Sequence, residues 1–374
     1  MPPTSTSQAV PFVDLGPSSA RLNQRILGEF AELLESSRFH YGPQLTEFEK
    51  AFAEYCAVQH CVGMSSGLDA LRLALLATGL EPGDEVLAPA NTFIATFAAI
   101  RQAGGVPVPV DVSETDYNID PELVDGAVTG RTRFLVPVHL YGQLADMRAL
   151  VEITAARRLT VVEDACQAHG ADRDGFRAGA AGSASAFSFY PSKNLGAAGD
   201  AGAAVTDDDD IADALRALRH HGETAKYHSE REGYTARMDT IQAIVLLHKL
   251  RLLDEWNEER RAAAAYYSEA LDGIGDLALP PTAPGSSPVW HLYVVRTADP
   301  VGLASHLAER GIGTGRHYPE PPHLSNAFAW LGYGRGAFPV AEAIAAEALS
   351  LPLFPGITEE QLEAVRVAVA DYFG

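Results

Sequence analysis

From residue 61 to about residue 205, short apolar runs alternate with amphipathic helical segments, and this alternation restricts the fold more than any other feature of the chain. Strands that are joined through helices run parallel, and parallel sheets are covered by helices on both faces. The apolar runs predict strands at residues 61–64, 85–88, 106–110, 134–139, 159–163, 186–189 and 201–205. Helices are predicted between them, among others at residues 68–77, 93–103 and 146–158. The chain is therefore predicted to have an α/β fold with a mostly parallel central sheet.

The segments on either side of this region predict a second, smaller unit. Helices are expected at residues 17–38 and 45–55 before the first strand, and a long helical tract is expected at 240–271. A break rich in proline, glycine and serine follows at 280–288. Beyond it, the pattern predicts a strand at 289–296 and helices at 301–309 and 337–349. We therefore predict a large domain over residues 1–250 and a smaller α+β domain over residues 251–374.

Composition excludes several classes of partner. The net charge of −21 repels nucleic-acid backbones and anionic membrane surfaces. Three cysteines form no disulfide framework, and residues 1–7 lack the basic and apolar regions of a signal peptide. The acidic run at 207–210 is interpreted as the capped first turn of a helix, so no metal site is predicted. These observations predict a cytoplasmic protein without a nucleic-acid or membrane partner.

Lys193 is the first candidate catalytic residue. It follows the apolar segment 187–190 and precedes a glycine-rich stretch at 196–202. A lysine after a strand is commonly a solvated surface residue, whereas a partly desolvated lysine loses its proton readily and serves as nucleophile and base. Both interpretations fit this segment taken alone.

Asp164 ends another predicted strand, at the edge where α/β sheets bind their ligands. A carboxylate there could bind a metal, cap a helix or pair with a protonated heterocycle, and the last is the role that a pyridoxal 5′-phosphate (PLP) enzyme needs. Gln167 lies three residues later and could reach the hydroxyl group of the cofactor ring. His169 has no second histidine at ligand spacing, which favours a structural role.

The turn at Ser66, Gly67 and Leu68 joins a predicted strand to a predicted helix. Free backbone amides and the helix dipole converge there, which suits a phosphate group, although a simple serine cap would give the same pattern. Ser188 could add a phosphate contact, and Phe93 could stack on a cofactor ring or belong to the core. Together with Lys193 and Asp164, these residues provide every part of a PLP site on one sheet.

The chain resembles the DegT/DnrJ/EryC1/StrS family of PLP-dependent sugar aminotransferases over nearly its whole length. The motifs that carry the resemblance are Tyr41-Gly42-Pro43, Ser66-Gly67-Leu68-Asp69-Ala70-Leu71, Glu163-Asp164-Ala165, Ser192-Lys193-Asn194 and His317-Tyr318-Pro319. The resemblance implies the aspartate aminotransferase-like fold (PLP fold type I). It also implies a homodimer in which each subunit contributes residues to its partner's active site.

The resemblance assigns a role to each candidate residue. Lys193 would bind PLP as a Schiff base and move protons, Asp164 would pair with the pyridine nitrogen, and Gln167 would contact the ring hydroxyl. Phe93 would cover the ring. The phosphate would be held by Ser66, Gly67, Leu68, Ser188 and, from the partner subunit, Thr235, which stands where the family commonly has asparagine. Residues that could meet the substrate, or could equally be structural, are Tyr190, Arg237, His317, Tyr318 and His323, with His139 and Tyr141 as further polar aromatics.

The implied reaction moves an amino group from L-glutamate, through pyridoxamine 5′-phosphate (PMP), to a keto group of a nucleotide-linked deoxysugar, with dTDP expected as the nucleotide. The leucine form of the phosphate turn is similar to that of enzymes that aminate C-3, and amination of C-4 on a hexose or pentose is the alternative. Lys193 favours amino transfer, because relatives that dehydrate sugars have histidine there. A non-catalytic regulator is the alternative of another class. The alanine- and arginine-rich helices are compatible with antibiotic-sugar biosynthesis.

Overall fold

The structure, a computed structural model, describes residues 9–374, so the amino-terminal stretch that bears on a signal peptide lies outside the described residues. The described chain alternates strands and helices through its first two thirds, as the pattern predicts. Its strands are β1 (His60–Met64), β2 (Glu85–Pro89), β3 (Val106–Val110), β4 (Thr132–Leu135), β5 (Thr160–Asp164), β6 (Asp172–Arg173), β7 (Phe176–Arg177), β8 (Ala184–Ser188), β9 (Gly202–Thr206), β10 (Glu223–Ala225), β11 (His228–Ser229), β12 (Ser286–Ser287), β13 (Tyr293–Arg296) and β14 (Ala348–Leu351).

Seven of these strands form the central sheet in the order β1-β9-β8-β5-β4-β2-β3. Strands β8, β5, β4, β2 and β3 pair in parallel, whereas β9 runs antiparallel to both β1 and β8. The mostly parallel sheet is thus confirmed. Because β1 and β8 both oppose β9, the carboxyl ends of β1, β2, β5 and β8 lie at the same edge of the sheet. The phosphate turn, Phe93, Asp164 and Lys193 follow these four strand ends.

Strand β4 is shorter than predicted, because it ends at Leu135 and not near residue 139. Pro137 has no amide hydrogen and cannot donate to the ladder at that point. Pairing continues only as separate bonds, in which the Asp164 amide donates to the Pro137 carbonyl and the His139 amide donates to the Asp164 carbonyl. The chain next to Asp164 is therefore held by backbone bonds beyond the regular strand.

The helices pack on both faces of the sheet and around the carboxyl-terminal part of the chain. The predicted helix at 17–38 and the predicted tract at 240–271 each form as two helices separated by a two-residue turn. Within residues 9–374, each helix is too short or too polar to cross a membrane. The helices are α1 (Gly16–Ala20), α2 (Asn23–Ser36), α3 (Pro43–Cys56), α4 (Gly67–Ala77), α5 (Ile94–Gln102), α6 (Pro121–Ala127), α7 (Met147–Arg157), α8 (Asp209–Leu218), α9 (Thr240–Leu250), α10 (Leu253–Ala270), α11 (Pro300–Glu309), α12 (Pro339–Glu347) and α13 (Glu359–Phe373).

Local sequence explains where α8 and α4 begin. The Asp208 carboxylate accepts a hydrogen bond from the Ile211 amide at 3.0 Å, so it caps α8. The interpretation of the acidic run as a helix cap is therefore confirmed. Ser66 caps α4 in the same way, because its hydroxyl accepts from the Asp69 amide at 3.1 Å. Such caps satisfy only some of the free amides in a first turn, which leaves the others available to an anion.

An aromatic cluster holds the strand that leads to Lys193. Phe52 on α3 meets Phe187 and Phe189 edge to face, with ring centroids 5.0 and 5.1 Å apart. Phe48 meets Phe189 in the same manner at 5.4 Å. All four rings are fully buried, and each contributes about 1.5–3 kcal/mol through burial alone. The end of β8 is therefore fixed by the core immediately before Lys193.

A separate hydrophobic cluster organises the carboxyl-terminal part of the chain. Tyr267 on α10 and Tyr293 on β13 are fully buried and pack with their ring centroids 5.2 Å apart. Residues of α11, α13 and β14 complete the same cluster. This arrangement agrees with a smaller carboxyl-terminal unit, while the division after residue 250 stays a prediction.

Candidate active site

Lys193 lies just beyond β8 in a turn that the backbone defines. Its amide donates to the Tyr190 carbonyl at 2.8 Å. Gly196 closes the turn, where a Cβ atom would lie 2.2 Å from the Pro191 carbonyl oxygen, so no larger residue fits. Burial lowers the pKa of the Lys193 amine, although Cys166 and Asp164 act in the opposite direction. A lowered pKa raises the fraction of neutral amine at physiological pH, and the neutral amine is the form that attacks carbonyl carbons.

A polar network fixes the chain immediately after Lys193. The Asn194 side chain donates to the Asn257 side-chain oxygen at 2.9 Å and to the Val289 carbonyl at 2.8 Å. Its own oxygen lies 3.2 Å from Nδ1 of His291. Lys249 donates to the Gly196 carbonyl of the same turn at 2.7 Å. These contacts come from α9, α10 and the segment before β13, and sequence reasoning did not identify them.

Asp164 ends β5 at the sheet edge, with its carboxylate held by two donors. The Thr96 hydroxyl donates to Oδ2 at 2.8 Å, and the Cys166 amide donates to Oδ1 at 3.2 Å. Thr92 lies 2.8 Å from the Thr96 hydroxyl and extends the chain of hydrogen bonds. These bonds orient the carboxylate toward the cavity described below.

Glu163, the neighbour of Asp164, points to the opposite face of the sheet, because successive side chains of a strand alternate. It is fully buried and lies 2.7 Å from Nε2 of His139. The Ala145 amide donates to the other ring nitrogen of His139, so Nε2 carries the proton and donates to Glu163. Of the two roles left open for His139, the structure supports the structural one, because its ring is enclosed by the core beside Glu163.

The turn at the start of α4 has the properties of an anion site. The first amides of a helix have no acceptor within the helix, and its dipole makes this end positive. A Cβ atom on Gly67 would lie 2.5 Å from Cβ of Ser188 and 3.0 Å from Sγ of Cys166. Glycine is therefore required where the turn meets the end of β8, and this close approach places Ser188 beside Ser66 and Leu68.

Gly67→Ala is expected to weaken binding of a phosphate-bearing cofactor tenfold or more, because the added methyl group must displace Ser188. Overpacking of this kind costs about 1–3 kcal/mol, and about 1.4 kcal/mol corresponds to a factor of ten. Equilibrium dialysis of PLP against the purified variant measures the effect. Gly126→Ala on α6 is the matched control, since its Cβ would meet nothing within 4 Å. Equal affinity of the two variants would contradict the assignment of the turn.

Aromatic side chains lie next to one another above the edge of the sheet. Phe93, the residue before α5, is 48% exposed and lies with its ring centroid 5.1 Å from that of Tyr318. Gln167 donates from Nε2 to the Tyr318 hydroxyl at 3.1 Å and accepts from the Tyr141 amide at 2.8 Å. His317 stacks on Phe12 with a centroid distance of 5.5 Å. An exposed aromatic face beside polar groups suits a flat, substituted ring.

These elements enclose one cavity of about 430 Å³. The structure brings eleven of the predicted site residues to its lining: Ser66, Gly67, Leu68, Phe93, Asp164, Gln167, Ser188, Tyr190, Lys193, His317 and Tyr318. Phe12, Arg260 and His291 also line it, and no motif of the sequence pointed to them. Their segments are far apart in the chain and meet only through tertiary packing.

Three predicted site residues do not line this cavity. Thr235 is exposed, and Arg237 donates to Nδ1 of His220 at 2.7 Å. His323 is buried and lies 3.2 Å from Glu342. The predicted contribution of Thr235 and Arg237 to a partner's site, and the substrate role of His323, stay predictions.

Three histidines near Lys193 are held neutral. Burial, and after it the nearby Lys193, lower the pKa of His169 to about 3 and that of His317 to about 4. The same causes lower the pKa of His291 well below its ordinary value. His169 donates from Nε2 to the Ser188 carbonyl at 3.0 Å, which agrees with the structural role expected for it. The cavity therefore contains neutral imidazoles at physiological pH.

Acid is expected to destabilise the protein through these histidines. Unfolded histidine titrates near pH 6.5, so below that pH the unfolded chain binds protons that the folded chain does not. The free energy of unfolding should therefore be highest above roughly pH 6.5. It should fall as the pH drops toward the folded-state pKa values, with a slope of about 1.4 kcal/mol per pH unit for each histidine. Urea unfolding at about pH 7 and about pH 5 measures this loss. His169→Gln should reduce the slope by the contribution of one proton, about 1.4 kcal/mol per pH unit. An unchanged slope would contradict the assignment of this acid sensitivity to the buried histidines.

Comparison with known proteins agrees with this geometry. The model of the DegT/DnrJ/EryC1/StrS aminotransferase family matches residues 20–370. The chain belongs to this family. A dTDP-3-amino-3,4,6-trideoxy-alpha-D-glucose transaminase from Streptomyces venezuelae is 48% identical over 97% of this chain and 96% of its own length. The erythromycin biosynthesis sensory transduction protein EryC1 from Saccharopolyspora erythraea is 46% identical over 95% of this chain and 97% of its own length.

Solved structures of family members match the whole architecture. The crystal structure of Streptomyces venezuelae DesV in complex with a ketimine intermediate superposes with a TM-score of 0.95 at 48% identity, covering 97% of this chain and 98% of that one. NtdA from Bacillus subtilis, crystallised with bound PMP, gives a TM-score of 0.89 at 30% identity over 99% of this chain and 87% of its own. The family membership, the aspartate aminotransferase-like α/β fold and the PLP cofactor predicted from sequence are thus confirmed.

The residues of the cavity fit PLP. Ser66, Gly67, Leu68 and Ser188 would hold its phosphate where Gly67 leaves no room for a side chain. Asp164 would hold a proton on the ring nitrogen, and Lys193 would bind the cofactor through its amine. When bound, PLP supplies an electron sink that stabilises negative charge on the carbon next to the amino group. The chain's own part is to orient the ring against Phe93, exclude water and move a proton with Lys193.

Proposed function

We propose that this protein transfers the amino group of L-glutamate to the C-3 keto group of a dTDP-linked keto-deoxysugar in the biosynthesis of an antibiotic sugar. The observation that carries the proposal is the 48% identity, over nearly the full length of both chains, to a transaminase named for a dTDP-3-amino sugar. The cavity adds support, because Lys193 and Asp164 lie on its lining beside the anion-binding turn. Amino transfer at C-4 is the alternative within this class.

A regulatory function is the second candidate, because one similar relative is named a sensory transduction protein. A protein that only senses a ligand does not need an amine with a lowered pKa or a carboxylate held by two donors beside it. Both features are present here. Catalytic amino transfer is therefore the stronger proposal.

Two experiments test the proposed function. The absorbance spectrum of the PLP-incubated protein is recorded before and after addition of L-glutamate, and the near-visible band of the lysine-bound cofactor should be replaced by the band of PMP. The protein is then incubated with dTDP-linked 3-keto and 4-keto hexoses, and the products are identified by mass spectrometry. Amination of the 3-keto sugar supports the proposal. Amination of the 4-keto sugar alone would establish the alternative, and the absence of both reactions would favour a regulator.

We further propose that the protein acts as a homodimer in the cytoplasm. The exposed position of Thr235 and the placement of Arg237 outside the cavity leave both residues available to a second subunit. Sedimentation equilibrium measures the mass directly. A mass near twice the 39.9 kDa of the chain is expected, and a monomer active at the same concentration would contradict the shared site.

A further inference from the structure

Arg260 on α10 is a buried cation in the wall of the cavity. It is 3% exposed, and its Nη1 donates to the carbonyl oxygens of Trp290, His291 and Leu353 at 3.2, 3.4 and 3.0 Å. Its Nε has no hydrogen-bond partner within residues 9–374. In that part of the chain, no carboxylate lies within ion-pair distance of this guanidinium. Arg260 is therefore a desolvated positive charge that the described chain leaves without a counter-charge.

This positive charge persists at neutral pH. Burial lowers the pKa of Arg260 to about 10, and the neighbouring Glu259 acts weakly in the opposite direction. The Glu259 carboxylate is itself committed, since it accepts from the Gly356 amide at 2.7 Å. Carbonyl oxygens satisfy hydrogen bonds but do not neutralise charge, and a buried cation without a counter-ion is costly. An anionic ligand in the cavity would relieve that cost.

Arg260 lies on the Lys193 side of the cavity. Its Nη1 donates to the His291 carbonyl, and Nδ1 of His291 lies 3.2 Å from the side-chain oxygen of Asn194, the residue that follows Lys193. Lys193, His291 and Arg260 all line the cavity. The phosphate has a separate site at the start of α4, with Ser66 and Gly67 in its lining. The anion that meets Arg260 therefore lies near the reacting amine and is distinct from the phosphate.

We propose that Arg260 binds the α-carboxylate of the amino donor, an inference that rests on the proposed function. An amino acid carries this carboxylate on the same carbon as the amino group that reacts. The ring of a keto-deoxysugar carries no carboxylate, and the diphosphate of a dTDP-linked sugar is attached to the anomeric carbon and not to the keto carbon that reacts. Arg260 thus recognises one of the two substrates that share the cavity, and the guanidinium orients the donor so that its amine reaches the Lys193 end.

The two halves of the reaction should respond differently to substitution of Arg260. In Arg260→Met, the step with L-glutamate is expected to slow about 100-fold, the loss expected when one partner of a buried charge pair is removed. The step from the PMP-loaded protein to the keto sugar should change less than about fivefold, because no carboxylate takes part. Stopped-flow absorbance measures each step separately in the holoenzyme.

Donor selectivity gives a sharper test of which carboxylate is bound. The compound 4-aminobutyrate has the distal carboxylate of glutamate and lacks the α-carboxylate. The ratio of the rate with glutamate to the rate with 4-aminobutyrate should therefore fall in Arg260→Met by about the same 100-fold. Arg260→Lys keeps a positive charge and should retain part of the preference, which also covers the case in which the methionine variant fails to fold.

Arg261→Met is the matched control on the same helix. Arg261 also holds a backbone carbonyl, that of Pro288 at 3.0 Å, but it has a carboxylate partner in Glu258 and does not line the cavity. Binding of glutarate to the holoenzyme, measured by calorimetry, supplies a readout independent of turnover, and it should weaken tenfold or more only in the Arg260 variants.

The proposal would be overturned if Arg260→Met and Arg260→Lys slowed both half-reactions equally and left the donor preference unchanged. Arg260 would then have a structural role only. Failure of the unsubstituted protein to react with glutamate would instead count against the proposed function. The proposed function would thus fail in the unsubstituted protein, whereas the proposal for Arg260 would fail only in the Arg260 variants.

Discussion

Lys193→Ala is expected to reduce amino transfer by about 10⁴-fold or more while the protein remains folded. The substitution removes the amine that binds the cofactor and the group that moves the proton, and general acid–base catalysis alone contributes about 10²–10⁴-fold. The fold should survive, because burial lowers the pKa of this amine and the folded state therefore does not depend on its charge. Rates of the glutamate half-reaction and urea unfolding curves, measured on the same preparation, separate the two effects.

Lys193→Arg is the matched control for charge. Arginine keeps a cation at the end of β8 but does not lose its proton at physiological pH, so it cannot serve as nucleophile or base. Both variants should therefore be inactive, and a small added amine such as methylamine should partly restore proton transfer in the alanine variant. Undiminished cycling of Lys193→Ala with glutamate would show that the amine has been assigned wrongly.

The sequence was sufficient to predict residues that lie at the ends of parallel strands. Asp164 and Lys193 each follow an apolar strand, and strands linked through helices end at the same edge of a sheet. Their proximity therefore follows from topology, without knowledge of any tertiary contact. The same reasoning placed Phe93 and the phosphate turn, because β2 and β1 also end at this edge.

Residues that come from other layers of the structure could not be predicted in this way. Arg260 is one of two adjacent arginines on a helix, and His291 is an isolated histidine before a short strand. Neither belongs to a local pattern that distinguishes it from a surface residue. Arg260 reaches the cavity because α10 packs both against the core of the central sheet and within the carboxyl-terminal cluster.

Side-chain alternation was available in the sequence and could have decided between the two roles left open for His139. Glu163 and Asp164 are adjacent on β5, so only one of them can face the cavity. Since Asp164 faces it, a polar partner of Glu163 must be buried on the other side, and His139 is that partner. Treating all polar aromatics near the strand ends as possible substrate contacts overlooked this constraint.

Asp164→Asn is expected to lower the rate of amino transfer by about 10²–10³-fold with little effect on folding. The amide has the shape of the carboxylate. Its single oxygen can accept from the Cys166 amide while its nitrogen donates to the Thr96 hydroxyl, but it has no negative charge to hold a proton on the ring nitrogen. Removing one partner of a buried charge pair costs about 3–5 kcal/mol, and each 1.36 kcal/mol is a factor of ten in rate. Cofactor content and the rates of both half-reactions measure the effect, and both halves should slow alike because both use the same ring.

Variants of two neighbouring residues distinguish the kinetic effect of the Asp164 charge from that of its surroundings. Thr96→Val keeps the charge and removes the hydroxyl that donates to Oδ2, so its loss should be smaller, about tenfold to 100-fold. Glu163→Gln alters the adjacent carboxylate on the opposite face and should lower stability more than rate, because five donors converge on that group in the core. If Glu163→Gln slowed both half-reactions as much as Asp164→Asn, the charge beside the sheet edge would not be what the reaction requires. The kinetic effect should be largest for Asp164→Asn, smaller for Thr96→Val and smallest for Glu163→Gln. This order follows from geometry alone, because Asp164 lies at the cavity wall, Thr96 lies next to it and Glu163 lies behind it.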